Sequence, residues 1–122
     1  MIGYITLGSN NIAESAQFYD ELFKLLGAKR TYDYETFVGW GNDPTASMFS
    51  IISPFDGKPA SVGNGVMIAI TVPSPAVVDE IHAKALSLGA VNEGNPGVRQ
   101  ETYYCAYFRD MDGHKLNFFC AV

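Results

Sequence analysis

The chain has 122 residues, 48% of them hydrophobic, and 13 acidic against 8 basic side chains give it a net charge of −5. That length suits one domain with enough apolar side chains for a core, and the acidic balance leaves no electrostatic footprint for nucleic acid or an anionic membrane. No apolar run approaches the roughly 20 residues that a bilayer-spanning helix needs, and the N-terminus lacks the basic and apolar regions of a secretory signal, so the cytoplasm is expected.

Ile5-Thr6-Leu7 alternates as a short strand and runs into a polar turn at Ser9-Asn10-Asn11. A helix should follow, with Asn11 as N-cap and Glu14 at the capping-box spacing. Ile12, Ala16, Tyr19, Leu22, Phe23 and Leu26 fall on one face, and Gly27 stops the helix at C′. Three strand-like pieces come next: Arg30 to Tyr34, Glu35 to Trp40 and Met48 to Ile52. A linker over about 55–65 leads to an apolar strand from Met67 to Val72. Ser74 can cap a second helix with Pro75 at its first position. Val77, Val78, Ile81, Ala85 and Leu88 form its buried stripe and Gly89 its stop. Beyond it lie a strand around Val91 to Glu93, a loop at Asn95–Arg99, and two aromatic-rich strands, Tyr103 to Arg109 and Lys115 to Cys120. Asp110-Met111-Asp112-Gly113 must reverse the chain between those last two. Gly113 supplies positive φ there, and an Asp can bond the turn amides.

The two halves repeat one order: strand, capped helix, Gly stop, three strands. Leu26-Gly27-Ala28 recurs as Leu88-Gly89-Ala90 at an offset of 62. The fold class is therefore α+β, built of two βαβββ modules over about 1–54 and 66–122. Strands so arranged curl into a half-open sheet with a concave side. A ferredoxin-like domain would explain the alternation of strand and helix, but not three strands after each helix.

Strand, "FRDxDG", closing strand at 103–119 and "NxxxSxxFY" at Asn11–Tyr19 are motifs of the vicinal oxygen chelate superfamily, the glyoxalase/bleomycin-resistance/dioxygenase group. The chain resembles that superfamily over essentially its whole length. The resemblance implies one glyoxalase-like domain, a curved mixed sheet with a ligand-holding cavity, and a homodimer. It also implies a place to look for a divalent metal, which many members hold with four His or Glu side chains, two from each half. Those positions correspond here to Tyr4, Ser50, Met67 and Asn117. Tyr4 and Met67 are 63 apart and Ser50 and Asn117 are 67 apart, close to the helix-stop offset. None is a His or a carboxylate. Hard and borderline cations want imidazole nitrogen or carboxylate oxygen, so no metal or other cofactor is expected.

The remaining polar residues offer no second ligand set. His82 is expected on the surface or in the packing of helix two, and His114 in a solvated turn. Asp110 and Asp112 are too few for a calcium loop. Cys105 and Cys120 lie on the two strands of the final hairpin. A disulfide is conceivable there, but reduced thiols suit an unsecreted chain, and no basic neighbour in sequence activates Cys105.

A metal-free cavity would be lined by Tyr4, Ser50, Met67 and Asn117. Trp40 stands either in the core or as a stacking wall for a flat ligand. Arg99 is either a solvated loop charge or an anion contact at the rim. Tyr103, Cys105 and Tyr107 share one strand face, which is either core or pocket; Tyr107 is counted with the ligand-binding set. The expected function is binding of a small aromatic or amphipathic molecule, as in the bleomycin-resistance branch. The alternative is a metalloenzyme, a glyoxalase-like lyase or isomerase or a dioxygenase, which would need a Lewis acid. A pure protein-interaction module is the third class.

Overall fold

The helix caps show how locally this chain specifies its elements. In the computed structural model, which describes all residues 1–122, Asn11 accepts a hydrogen bond from the Glu14 N–H at 3.1 Å, and its Nδ2 donates to Glu14 Oε2. Helix α1, Ile12–Lys24, starts there. It stops where the Ala28 N–H reaches the Phe23 carbonyl and the Gly27 N–H that of Lys24, a Schellman closure with Gly27 at φ +70°. The second helix, α2 (Pro75–Ser87), is capped by Ser74 and ends in the same pair of bonds, Ala90 to Ala85 and Gly89 to Leu86. The repeated Leu-Gly-Ala is thus one helix terminator used twice.

Strands β1 (Tyr4–Gly8), β2 (Lys29–Tyr34), β3 (Phe37–Gly41) and β4 (Met48–Ile52) accompany α1. Strands β5 (Met67–Thr71), β6 (Val91–Arg99), β7 (Tyr103–Arg109) and β8 (Lys115–Ala121) accompany α2. The chain divides into two compact modules, Met1–Val62 and Gly63–Val122. Their sheets have the same topology, β1-β4-β3-β2 and β5-β8-β7-β6, with the first strand parallel to the last and the other pairs antiparallel. The architecture is α+β with two βαβββ modules.

In module 1 the core lies between α1 and one sheet face. Val38, Trp40, Phe49 and Ile51 alternate inward to meet Ala16, Tyr19, Leu22 and Phe23. Tyr19 and Phe23 sit 4.7 and 5.0 Å from the Phe49 ring and 5.7 Å each from Trp40, the spacing of favourable aromatic pairs. The Trp40 indole N–H donates to Asp20 Oδ1 at 2.8 Å, and Arg30 grips the same carboxylate through two bonds. One carboxylate therefore ties α1 to β2 and β3. In module 2 the equivalent face buries Leu116, Phe118, Cys120, Ala106 and Phe108 beside Val78, Ile81 and Ala85 of α2, while the Tyr104 hydroxyl donates to Asp79.

Several expectations need correction. Strand β6 does not stop at Glu93: it runs to Arg99, through the segment expected as a loop, with register shifts between Asn92 and Gly94 and between Gly94 and Gly97. Pro96 is tolerated because β6 is an edge strand and the irregular stretch spares the ladder. His114 is buried rather than solvated, inside a turn where Asp110 Oδ1 accepts from the Asp112 and His114 amides. Gly113 does take positive φ, +89°. In α1, Ser15 and Phe18 join the buried set, and in α2 Leu88 lies outside it. Cys105 and Cys120 are free thiols: Cys105 pairs with Phe119, and Tyr104 with Cys120, so the two sulfurs lie on opposite faces of the hairpin and cannot bridge.

Candidate functional site

Each sheet has a second face, turned away from its helix, and the expected site residues divide between these two faces. In module 1 the open face carries Tyr4 and Thr6 of β1, Met48 and Ser50 of β4, and Phe37 and Gly39 of β3, by strand alternation. Ser50 is fully buried, and its hydroxyl donates to the Ile5 carbonyl. Gly39, opposite Ser50, leaves the space that the Met48 thioether fills; a Cβ there would come within 2.7 Å of its sulfur. Tyr4, 61% exposed, meets Phe37 edge-on at 6.5 Å, and Tyr32 continues the aromatic row toward Tyr34. A groove of about 620 Å³ opens at the β2 side of this module, lined by Lys29, Tyr32, Asp43, Pro44 and Met48 among others. It contains none of the expected site residues.

Trp40 is on neither open face. At 2% exposure it is part of the α1-facing core, with its N–H committed to Asp20, so it packs and presents no stacking wall.

The open face of module 2 gathers Met67, Tyr107, Asn117 and Arg99. Asn117 lies in register between Ala69 of β5 and Tyr107 of β7. It holds the ladder position of Ser50, since Tyr4 pairs with Met48 as Met67 pairs with Lys115. Asn117 is only 7% exposed, and its Oδ1 has no hydrogen-bond partner. A buried acceptor left unpaired costs about 1–3 kcal/mol, so its retention calls for an explanation.

Next to it, the Tyr107 ring lies across Gly94 of β6, where a Cβ would come within 2.8 Å of Cδ2. Two cations stand over the ring, the Arg99 guanidinium at 5.9 Å and the Lys115 ammonium at 5.4 Å from its centroid. Burial, and then the contact with the Cys105 thiol, raises the Tyr107 phenol above its ordinary pKa, with Arg99 opposing. Tyr107 therefore stays protonated at neutral pH.

A chain of bonds shapes β6 beneath the ring. The buried His82 ring meets Asn92 Oδ1 at 3.0 Å, the same oxygen accepts from the Gly94 N–H, Asn92 Nδ2 donates to Asn95 Oδ1, and Arg99 donates to the Asn95 carbonyl. Arg109 and Lys115 share Glu93, at 2.9 and 3.8 Å. Arg99 has only the Asn95 and Val98 carbonyls as acceptors, so its charge has no carboxylate opposite it.

Lys115 and Gly94 were not among the residues singled out from sequence. Lys115 was within reach, because it lies two residues before Asn117 and shares its face. The closeness of Gly94 to Tyr107 depends on the β6 bulges, which no local pattern announces.

The four residues expected at the superfamily's metal positions, Tyr4, Ser50, Met67 and Asn117, do not fit a divalent cation. They offer an exposed phenol, a hydroxyl already donating to a carbonyl, a half-exposed thioether and a neutral amide, all weak donors for hard or borderline ions. No three His, Cys, Asp or Glu side chains gather elsewhere as a ligand set.

Residues 1–118 match the model of the Glyoxalase/Bleomycin resistance protein/Dioxygenase superfamily. A glyoxalase/bleomycin resistance protein from Albidiferax ferrireducens is 31% identical, with 98% of each chain covered and a TM-score of 0.90. A hypothetical protein from S. aureus is 27% identical over 98% of this chain and 92% of that one, with a TM-score of 0.76. A lactoylglutathione lyase from Agrobacterium tumefaciens, 17% identical over 98% and 92%, shares the fold with a TM-score of 0.71. No curated protein matches the sequence.

Proposed function

The chain belongs to the Glyoxalase/Bleomycin resistance protein/Dioxygenase superfamily, and we propose that within it this protein binds a small aromatic or amphipathic organic molecule without a metal held by its own side chains. The observation that carries the reading is Asn117. A position suited to a carboxylate ligand in metal-binding members carries a neutral amide, whose buried oxygen is free to accept a hydrogen bond from a ligand. Met67 and Tyr107 supply adaptable apolar and aromatic contact beside it, and Tyr4 and Ser50 belong to the matching open face of module 1.

Binding is favoured over glyoxalase-like or dioxygenase turnover because those reactions rely on a Lewis acid to polarise vicinal oxygens, and the donor set here holds one poorly. A thermal-shift screen with divalent metals, glutathione hemithioacetals, catechols and glycopeptide antibiotics tests the reading. Stabilisation by an organic compound alone, lost in Asn117→Ala, is the expected result. Stabilisation by a metal together with turnover would replace it with the metalloenzyme reading.

We further propose a homodimer in the cytoplasm. Support comes from the exposed aromatic side chains Tyr4, Tyr32 and Tyr34, which a partner surface would cover, and from two buried thiols placed where they cannot bridge. No helix is long and apolar enough to cross a membrane. Light scattering that returns a monomer at micromolar concentration would remove the dimer.

A further inference from the structure

We propose that the open face of module 2 selects organic acids: Arg99 pairs with a carboxylate, and a hydroxyl or amide N–H on the adjacent carbon of the same molecule donates to Asn117 Oδ1. This rests on the binding reading above and narrows it to a ligand class, α-hydroxy or N-acyl carboxylic acids bearing an apolar group.

Charge is the first reason. In a protein of net charge −5, this face carries three cations, Arg99, Arg109 and Lys115, of which only Arg109 and Lys115 pair with a carboxylate, Glu93. Glu93 is taken up chiefly by Arg109 at 2.9 Å, with Lys115 at the limit of pairing at 3.8 Å. Arg99 is left with two backbone carbonyls and most of its five donors unspent. Its planar fork suits a carboxylate presented from the open side.

Fixed position is the second. The guanidinium is held over Tyr107 and bonded to the Asn95 carbonyl, and Asn95 is itself held through Asn92 by the buried His82. A guanidinium so held loses less freedom on binding than a free surface arginine.

Complementarity is the third. The Asn117 oxygen is more than nine-tenths buried, lacks a partner, and lies directly across the ladder from Tyr107, the ring that both Arg99 and Lys115 overhang. An acceptor beside cations matches a ligand that carries a donor next to an anion. A second carboxylate or a bare hydrocarbon would leave that oxygen unpaired.

Three matched compounds test this by calorimetry on the full chain: mandelate, mandelamide, which lacks the charge, and phenylacetate, which lacks the hydroxyl. N-acetylphenylalanine and its amide form a second acid–amide pair. Both acids should bind at least tenfold more tightly than their amides, with affinity falling as salt rises. Arg99→Gln should weaken mandelate at least tenfold and leave mandelamide unchanged, whereas Lys58→Gln, in a loop of module 1, should alter neither. Asn117→Leu should abolish the preference for mandelate over phenylacetate, and circular dichroism checks that each variant is folded. Amides that bind as tightly as the acids, an unaffected Arg99→Gln, or acids that do not bind at all would each overturn the assignment. Neutral compounds that bind while acids do not would overturn it and leave the binding reading standing. That reading falls separately, by metal-dependent turnover in the broader screen.

Discussion

Asn117→Leu separates function from stability at one atom. The wild-type side chain buries an acceptor with no partner, at a cost of about 1–3 kcal/mol. Leucine removes that penalty and keeps a branched side chain of similar reach. Its in-register neighbours are the small Ala69 and the Tyr107 ring. Against the gain stands whatever the amide nitrogen contributes, about 1 kcal/mol for a typical hydrogen bond. The expected net is a stabilisation of about 1 kcal/mol. Unfolding entropy of about 2.1 cal/mol/K per residue over 122 residues gives about 0.26 kcal/mol/K, so Tm should rise by about 4 °C. Calorimetry and urea titration should agree, with the midpoint shifting and the slope unchanged. Asn117→Ala, which removes the same acceptor but leaves a void, should lie below Leu in both. A Tm that falls by 4 °C or more in Asn117→Leu would refute the reasoning, because it would mean that the oxygen is satisfied in solution. A more stable variant that no longer prefers mandelate over phenylacetate is the trade-off expected of a residue kept for its ligand.

Gly94→Ala should push the Tyr107 ring off its seat, since the new Cβ would lie 2.8 Å from the ring; a loss of about 1–3 kcal/mol is expected, read by urea midpoint, together with shifted Tyr107 ring resonances by NMR, and unshifted resonances would count against the described packing. Glu101→Gly should stabilise the protein by about 0.5–1 kcal/mol, because Gln100 and Glu101 both take positive φ in the β6–β7 turn, at 51° and 63°; a lower melting temperature would contradict that strain. Burial pulls the Asp20 carboxyl up, but the hydrogen bonds from Arg30 and Trp40 and the Arg30 charge outweigh it and hold its pKa below the ordinary 3.8. A depressed carboxylate contributes stability that is fully present above the unfolded pKa and is lost as pH falls through the folded one. The urea-stability gap between wild type and Asp20→Asn should therefore be constant from about pH 7 to 5 and close below about pH 4, by a modest amount because the Asp20 side chain is 37% exposed. A gap that widens on acidification would reverse the sign of the argument.

The elements of this fold are short-range decisions, and the amino-acid sequence alone determines them. Asn11 and Ser74 can satisfy helix N–H groups only from an N-cap, Gly27 and Gly89 allow the left-handed closure that ends each helix, and Asp110 with Gly113 closes the last turn. Those signals, repeated twice with three strands after each helix, were enough for two βαβββ modules. The resemblance to the superfamily, rather than these signals, points to Tyr4, Ser50, Met67 and Asn117, which include no His or carboxylate and occupy matching ladder positions. Alternation within a strand, however, has two solutions that differ by one residue, and only the docking of a helix onto one face chooses between them. That choice sent Trp40 into the core under α1, and turned Tyr103, Cys105 and Tyr107 to the open face while Tyr104 reached α2. The bulged course of β6 is likewise a tertiary result. It depends on the buried His82 holding Asn92 and on Gly94 yielding to the Tyr107 ring, contacts between residues 10 and 13 positions apart in sequence. Through that course Arg99 comes to stand over Tyr107, beside an asparagine oxygen that the folded chain buries and does not pair.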